Sequence, residues 1–176
     1  MKHLLSAILL AAVSLVAAAA DLTPAQRATF AAAINAETDA GLVACRVVRD
    51  DTCITAFYNA ASTTKAWREA VPARDVFEAM NLTNFDGLSA GKRDAQRIML
   101  DFAPLDFSRN KIRQATGDIW NATDRDAILN AATENASRFE MVFGGNSATT
   151  GGVTAIKRAV LGPVSLYTVS AVLNGQ

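Results

Sequence analysis

The sequence predicts a mainly α fold: five to six short helices packed as one bundle-like domain, followed by a small C-terminal β-hairpin. Three observations lead there. The chain has 176 residues, 51% of them hydrophobic, enough for one domain with a real core and too few for two comfortable ones. Alanine supplies much of that share while aromatic residues are only 7%, which favours close-packed helices over an aromatic-rich sandwich. Apolar residues recur at helical spacing through the middle of the chain, and the pattern turns to β-rich runs only near its end. The division that follows is an apolar N-terminal segment at 1–20, a helical domain at 21–145, and a glycine-rich loop with the hairpin at 146–176.

Lys2 and His3 form a short basic start, residues 4–16 are apolar apart from Ser6 and Ser14, and Ala17 to Ala20 offer small-residue cleavage positions before Asp21. That is the arrangement of a secretory signal peptide, and the run is short for a membrane span. The competing reading is an uncleaved N-terminal helix packed on the domain or on a partner. Cleavage after Ala20 removes His3, the one histidine of the chain, and with it every histidine-dependent nucleophile or metal site.

Thr23-Pro24-Ala25-Gln26 reads as an N-cap, a proline at the first helical position and a capping-box glutamine, so a helix is expected over 24–36 with Phe30, Ala33 and Ile34 inward. A second covers 52–61, with Ile54, Phe57 and Tyr58 inward, and Ser62-Thr63-Thr64 breaks it. Pro72 starts a third through Met80, with Val76, Phe77 and Met80 on its apolar face. Ser89 caps a fourth over 90–102, whose stripe is Ala95, Ile98, Met99 and Phe102, and Pro104 ends it. Ser108 starts a fifth with Ile112, Ala115 and Ile119. The longest begins at Thr123 and runs to Phe143, where Gly144-Gly145 terminate it. Residues 153–160 and 164–169, parted by Gly162-Pro163, make the hairpin. Trp67 and Trp120 are expected in the core.

Cys45 and Cys53 are separated by seven residues. In an oxidising compartment they can close a short loop; the competing reading is two separate buried thiols on neighbouring segments, and spacing alone does not show whether their Cα atoms come close enough to bond. A zinc site is disfavoured, because two thiolates need two further ligands. Lysine plus arginine and aspartate plus glutamate both total 17, so the chain has no basic field to attract nucleic acid or an anionic membrane. Lys92, Arg93, Arg97, Arg109, Lys111 and Arg113 nonetheless form a modest basic cluster, either a contact surface for nucleic acid or an acidic neighbouring subunit, or ordinary solvated helix faces. Gly144-Gly145 and Gly151-Gly152 lack the lysine and preceding strand of a phosphate loop. Asp50/Asp51 and Asp124/Asp126 fall in a loop and a helix first turn, where acid is expected without metal or catalysis. No cofactor, metal, catalytic set or small-molecule substrate is expected. Asn81, Asn121 and Asn135 open N-x-S/T sequons, which matter only in a eukaryotic secretory pathway.

Leu22-Thr23-Pro24-Ala25-Gln26, Tyr58-Asn59-Ala60, Ala66-Trp67-Arg68-Glu69-Ala70-Val71-Pro72, Gly87-Leu88-Ser89-Ala90-Gly91-Lys92-Arg93 and Asn110-Lys111-Ile112-Arg113-Gln114-Ala115, with the late helix entering Phe143-Gly144-Gly145, carry a resemblance. With these the chain resembles a family of small proteins encoded by tailed bacteriophages and prophages. Members begin near the Leu-Thr-Pro segment, so the apolar leader is a departure. The resemblance implies a non-enzymatic virion structural protein at the tail or head–tail junction, homo-oligomeric and in contact with other virion proteins, with no catalytic residues to carry over. The hairpin would then pair edge to edge with a neighbour. The alternative is an exported periplasmic or surface binding protein with a cleaved leader, no membrane span and one disulfide.

Overall fold

The computed structural model describes residues 22–158 and 161–175; the N-terminal segment 1–20 lies outside them. Among the described residues the elements run α1 (Pro24–Ala36), α2 (Ala40–Val47), α3 (Asp51–Asn59), β1 (Ala61–Trp67), α4 (Ala73–Ala79), α5 (Leu82–Phe85), α6 (Ala90–Asp101), α7 (Asn110–Ile119), α8 (Ala122–Ala131), β2 (Thr133–Ser137), α9 (Arg138–Phe143), β3 (Ser147–Thr150), β4 (Val153–Lys157) and α10 (Leu166–Leu173). The expected helical bundle with a C-terminal hairpin is therefore wrong. A four-stranded mixed sheet of order β2-β1-β4-β3 forms, with strands interleaved among helices. β1 pairs antiparallel with β2 and parallel with β4, and β3 pairs antiparallel with β4.

Each departure has an identifiable physical cause. Ser62-Thr63-Thr64 is part of β1, where alternate residues are exposed and only Ala66 and Trp67 are fully buried; β-branched threonines suit a half-solvated strand. The long helix expected over 123–143 is cut by β2, whose Glu134 and Asn135 are poor strand formers held extended by the β1 ladder. Helix formation restarts at a capping box: the Ser137 hydroxyl accepts from the Glu140 amide and the Glu140 carboxylate accepts from the Ser137 amide. The hairpin exists one step earlier than expected, with Gly151 and Gly152 turning β3 into β4. Gly151 has φ +57, and a Cβ there would fall on the Asp126 carboxylate and the Arg125 guanidinium. The expected second strand at 164–169 is the start of α10. Ser165 caps it by accepting from the Thr168 amide, and Thr168, Val169, Ala171 and Val172 are buried; that burial outweighs the few tenths of a kcal/mol that each β-branched residue costs a helix.

The helix starts fare better. Thr23 and Gln26 form the capping box of α1, and Ser89 caps α6 through the Lys92 amide. Pro72 sits at the N-cap of α4, one residue earlier than expected.

Two cores flank the sheet. Trp67, Val153 and Ala155 point to one side, where they join Val76, Met99, Leu105, Phe107, Ile119, Trp120, Ile128 and Leu129. Ala66, Ala136 and Ile156 occupy the other face. On that side α9 crosses the strands, and Gly144 sits so close that a Cβ would lie 2.7 Å from Ile156 Cδ1. Beyond α9 lies the second core, built from Leu22, Phe30, Ile34, Leu42, Ile54, Tyr58, Phe139, Val164, Val169 and Val172. Asn59 ties α3 to the entry of α10, donating to the Val164 carbonyl and accepting from its amide, both at 2.9 Å.

Candidate interaction surface

The helices α4, α5 and α6 enclose a groove of about 540 Å³. Pro72 starts α4, the short α5 follows a turn at Met80 and Asn81, and that turn is anchored from below. The Asn81 amide donates to Asp124 Oδ1 at 3.1 Å, and Asn121 Nδ2 donates to Asp124 Oδ2 at 2.8 Å. Asp124 is buried in the first turn of α8, where the helix dipole favours it. Met80 Sδ receives Gln96 Nε2 at 3.1 Å and Trp120 Nε1 at 2.9 Å. A thioether only accepts, so both N–H groups must face it, and Gln96 is the buried centre of α6.

Phe77, Phe85 and Leu100 form the apolar lining of the groove, and Arg93, Asp94, Arg97 and Asp101 its charged rim. Phe77, Ile98 and Phe102 were expected inward and are 50%, 53% and 76% exposed. The inward face of α6 is set by Ala95, Gln96 and Met99, so Ile98 and Phe102 turn outward.

The six basic residues do not all lie at the surface. Lys92, Arg93, Arg97, Arg109 and Lys111 are exposed; Arg97 lies 3.9 Å from Asp94 and Arg109 2.8 Å from Asp106. Arg113 is buried. Its Nη1 donates to the carbonyls of Phe107 at 2.6 Å and Ser108 at 2.8 Å, and its guanidinium lies 4.9 Å over the Trp67 ring. Burial lowers its pKa from the ordinary value, opposed by the Asp106 charge.

At the opposite end, Cys45 and Cys53 form a disulfide with Cα atoms 5.9 Å apart, joining α2 to α3. The intervening residues reverse direction through Arg49 at φ 54 and the N-cap Asp50, leaving Val47 and Val48 in solvent. Arg46 fans back onto α1, donating to the carbonyls of Ile34, Asn35 and Glu37 at 2.8, 2.6 and 2.9 Å, which satisfies helix-end acceptors. Replacing Cys45 and Cys53 together by alanine is expected to lower unfolding free energy by about 2–3 kcal/mol through the entropy returned to the unfolded chain. Urea titration against the oxidised protein measures it, and an unchanged midpoint would refute it.

Tyr58 lies beneath this region. Burial, with the Glu37 charge added, pushes its hydroxyl up to about 12. The folded state keeps a proton that the unfolded chain releases near about pH 10, so the associated stability is complete below pH 10 and is lost as pH rises through 12. In a Tyr167→Phe variant, where Tyr58 is the single tyrosine, phenolate absorbance should emerge only toward pH 12. Its emergence near pH 10 with helical circular dichroism intact would contradict the burial.

The acidic pairs serve the fold. Asp50 caps α3, Asp51 accepts from the Ser170 hydroxyl, and Asp126 takes Arg125 Nε at 2.7 Å and the Gly152 amide at 3.3 Å. Among the described residues no group of three or more histidine, cysteine, aspartate or glutamate side chains is gathered to hold a metal ion, and no helix is long and apolar enough to cross a membrane. Compared with known proteins, the chain matches no family model, no curated protein and no solved structure.

Proposed function

We propose that this chain is a non-enzymatic structural component of a tailed-phage virion, at the tail or head–tail junction, acting through contacts with its own copies and with other virion proteins. What supports the reading is the set of large apolar side chains that the fold leaves in solvent: Val47, Val48, Phe102 and Tyr167 are each more than 70% exposed, and Phe77, Leu82 and Ile98 half or more. Apolar residues exposed one at a time are ordinary on a protein surface; those that gather in one place, Phe77 and Phe85 around Leu100 in the α4–α6 groove, are what a protein partner would cover. The motif resemblance from Leu22 to Gly145 supplies the virion context. A second reading, an exported periplasmic or surface binding protein, is favoured by the Cys45–Cys53 bond, since disulfides persist in oxidising compartments.

Mass spectrometry separates the two. Purified particles should contain the chain in stoichiometric amount. Its absence from particles, together with a periplasmic form beginning at Asp21, would overturn the virion reading in favour of the second.

A further inference from the structure

We infer that the α4–α6 groove is a self-association face, which pairs two copies of this chain across a two-fold axis with their α6 helices antiparallel. The inference rests on the reading of the chain as a protein that works through subunit contacts, and it names the partner of one such face.

The charges carry it. Arg93, Arg97 and Asp101 follow one another at four-residue spacing on α6, so they share one face of that helix. Arg97 has its own counter-ion in Asp94, at 3.9 Å. Among the described residues Arg93 and Asp101 make no ion pair or side-chain hydrogen bond, although both line the groove. They are opposite in sign, symmetric about Arg97, and about 12 Å apart along the helix axis. When two such helices lie antiparallel with Arg97 at the axis, Arg93 of each copy comes level with Asp101 of the other. One symmetry operation thus makes two identical ion pairs, the self-complementarity an isologous contact requires. The two central arginines meet with Asp94 beside each, not as bare like charges. A polyanion would satisfy Arg93 and oppose Asp101, and a polycation the reverse; the balanced rim fits a partner of the same pattern.

The apolar lining agrees. Phe77 and Phe85 remain half and one-third exposed around Leu100, and phenylalanine and arginine are both enriched at protein interfaces over the rest of the surface. The chain has zero formal net charge, so two copies approach without long-range repulsion.

Charge exchange in the full chain tests the pairing. Sedimentation velocity over a micromolar-to-millimolar series should show wild-type dimers. Arg93→Glu and Asp101→Lys, each alone, place two like-charge pairs in the interface and should weaken association at least tenfold while circular dichroism is unchanged. Mixing the two variants should restore dimers, because Glu at position 93 of one copy then meets Lys at position 101 of the other while Arg93 and Asp101 remain paired. Phe77→Ser should weaken every combination. A wild type that stays monomeric throughout, or a mixture no tighter than either variant alone, would overturn the inference. Neither result bears on whether the chain resides in particles, so failure here is distinct from failure of the virion reading.

Discussion

Arg113→Ala is expected to remove about 3–5 kcal/mol of stability, because it leaves the buried Phe107 carbonyl and the partly buried Ser108 carbonyl without their donor. Phe107 is fully buried and its carbonyl, with that of Ser108, receives Arg113 Nη1. The same guanidinium donates through Nε to Thr150 Oγ1 at 3.2 Å on β3 and covers the Trp67 ring on β1. It therefore joins α7, the segment before it, and both halves of the sheet. Arg113→Lys should recover only part of the loss, since an ammonium lacks the planar fork that reaches two carbonyls and Thr150 at once. Lys111→Ala, an exposed neighbour on the same helix, should fall within about 0.5 kcal/mol of wild type. Urea unfolding of the three variants measures these differences; a loss below about 1 kcal/mol for Arg113→Ala would show that the guanidinium is not the tie described.

Arg113 also shows what the sequence could and could not convey. As one of six basic residues it reads as surface, yet it follows Ile112 and precedes Thr116 by three, inside the stripe that carries Ala115 and Ile119 to the core. Its spacing was a signal; its charge concealed it. Phe77, Ile98 and Phe102 fail in the opposite sense, as apolar residues assigned inward by type. The polar Gln96 takes the place beside Met99, because Met80 Sδ supplies an acceptor for its amide, a partner 16 positions away that helical periodicity does not encode. The groove is made from these exchanges, which helical periodicity does not encode, although Arg93 and Arg97 stand out in the sequence as part of a basic cluster.

The fold divides along similar lines. Helix starts that depend on local hydrogen bonds, at Thr23 and Ser89, were legible because the donor, the acceptor and the cap lie within four residues. The Ser137-Arg138-Phe139-Glu140 box of α9 is equally local, but it lies inside a longer apolar pattern that reads as one continuous helix. β2 is different in kind: Thr133 to Ser137 has no strand signature of its own, and its extended shape comes from β1, about 70 residues earlier. At the C-terminus the valines of α10 read as a strand because propensity spoke louder than the Ser165 cap.

Phe30→Ala carries the other large expected effect, about 3–5 kcal/mol, and it probes the core that periodicity did locate. Phe30 is fully buried on α1. Its ring makes edge contacts with Tyr58 at 4.9 Å and Phe139 at 5.0 Å, and lies 6.3 Å from Phe143, so three elements that are remote in sequence, α1, α3 and α9, meet on it. Aromatic pairs in this geometry add about 0.5–1.5 kcal/mol to simple burial, and the cavity left by alanine is lined by rings that cannot collapse inward without leaving their own contacts. Phe30→Leu keeps most of the volume and loses the edge-to-face pairing, so it should cost about 1–2 kcal/mol. The Tyr58 hydroxyl supplies an independent readout: in Phe30→Ala water gains access to it, and its pKa should fall from about 12 toward the usual 10. A variant that loses stability with the Tyr58 titration unmoved would mean that α1 repacks as a unit over α3, and that Phe30 is not the residue keeping this core dry.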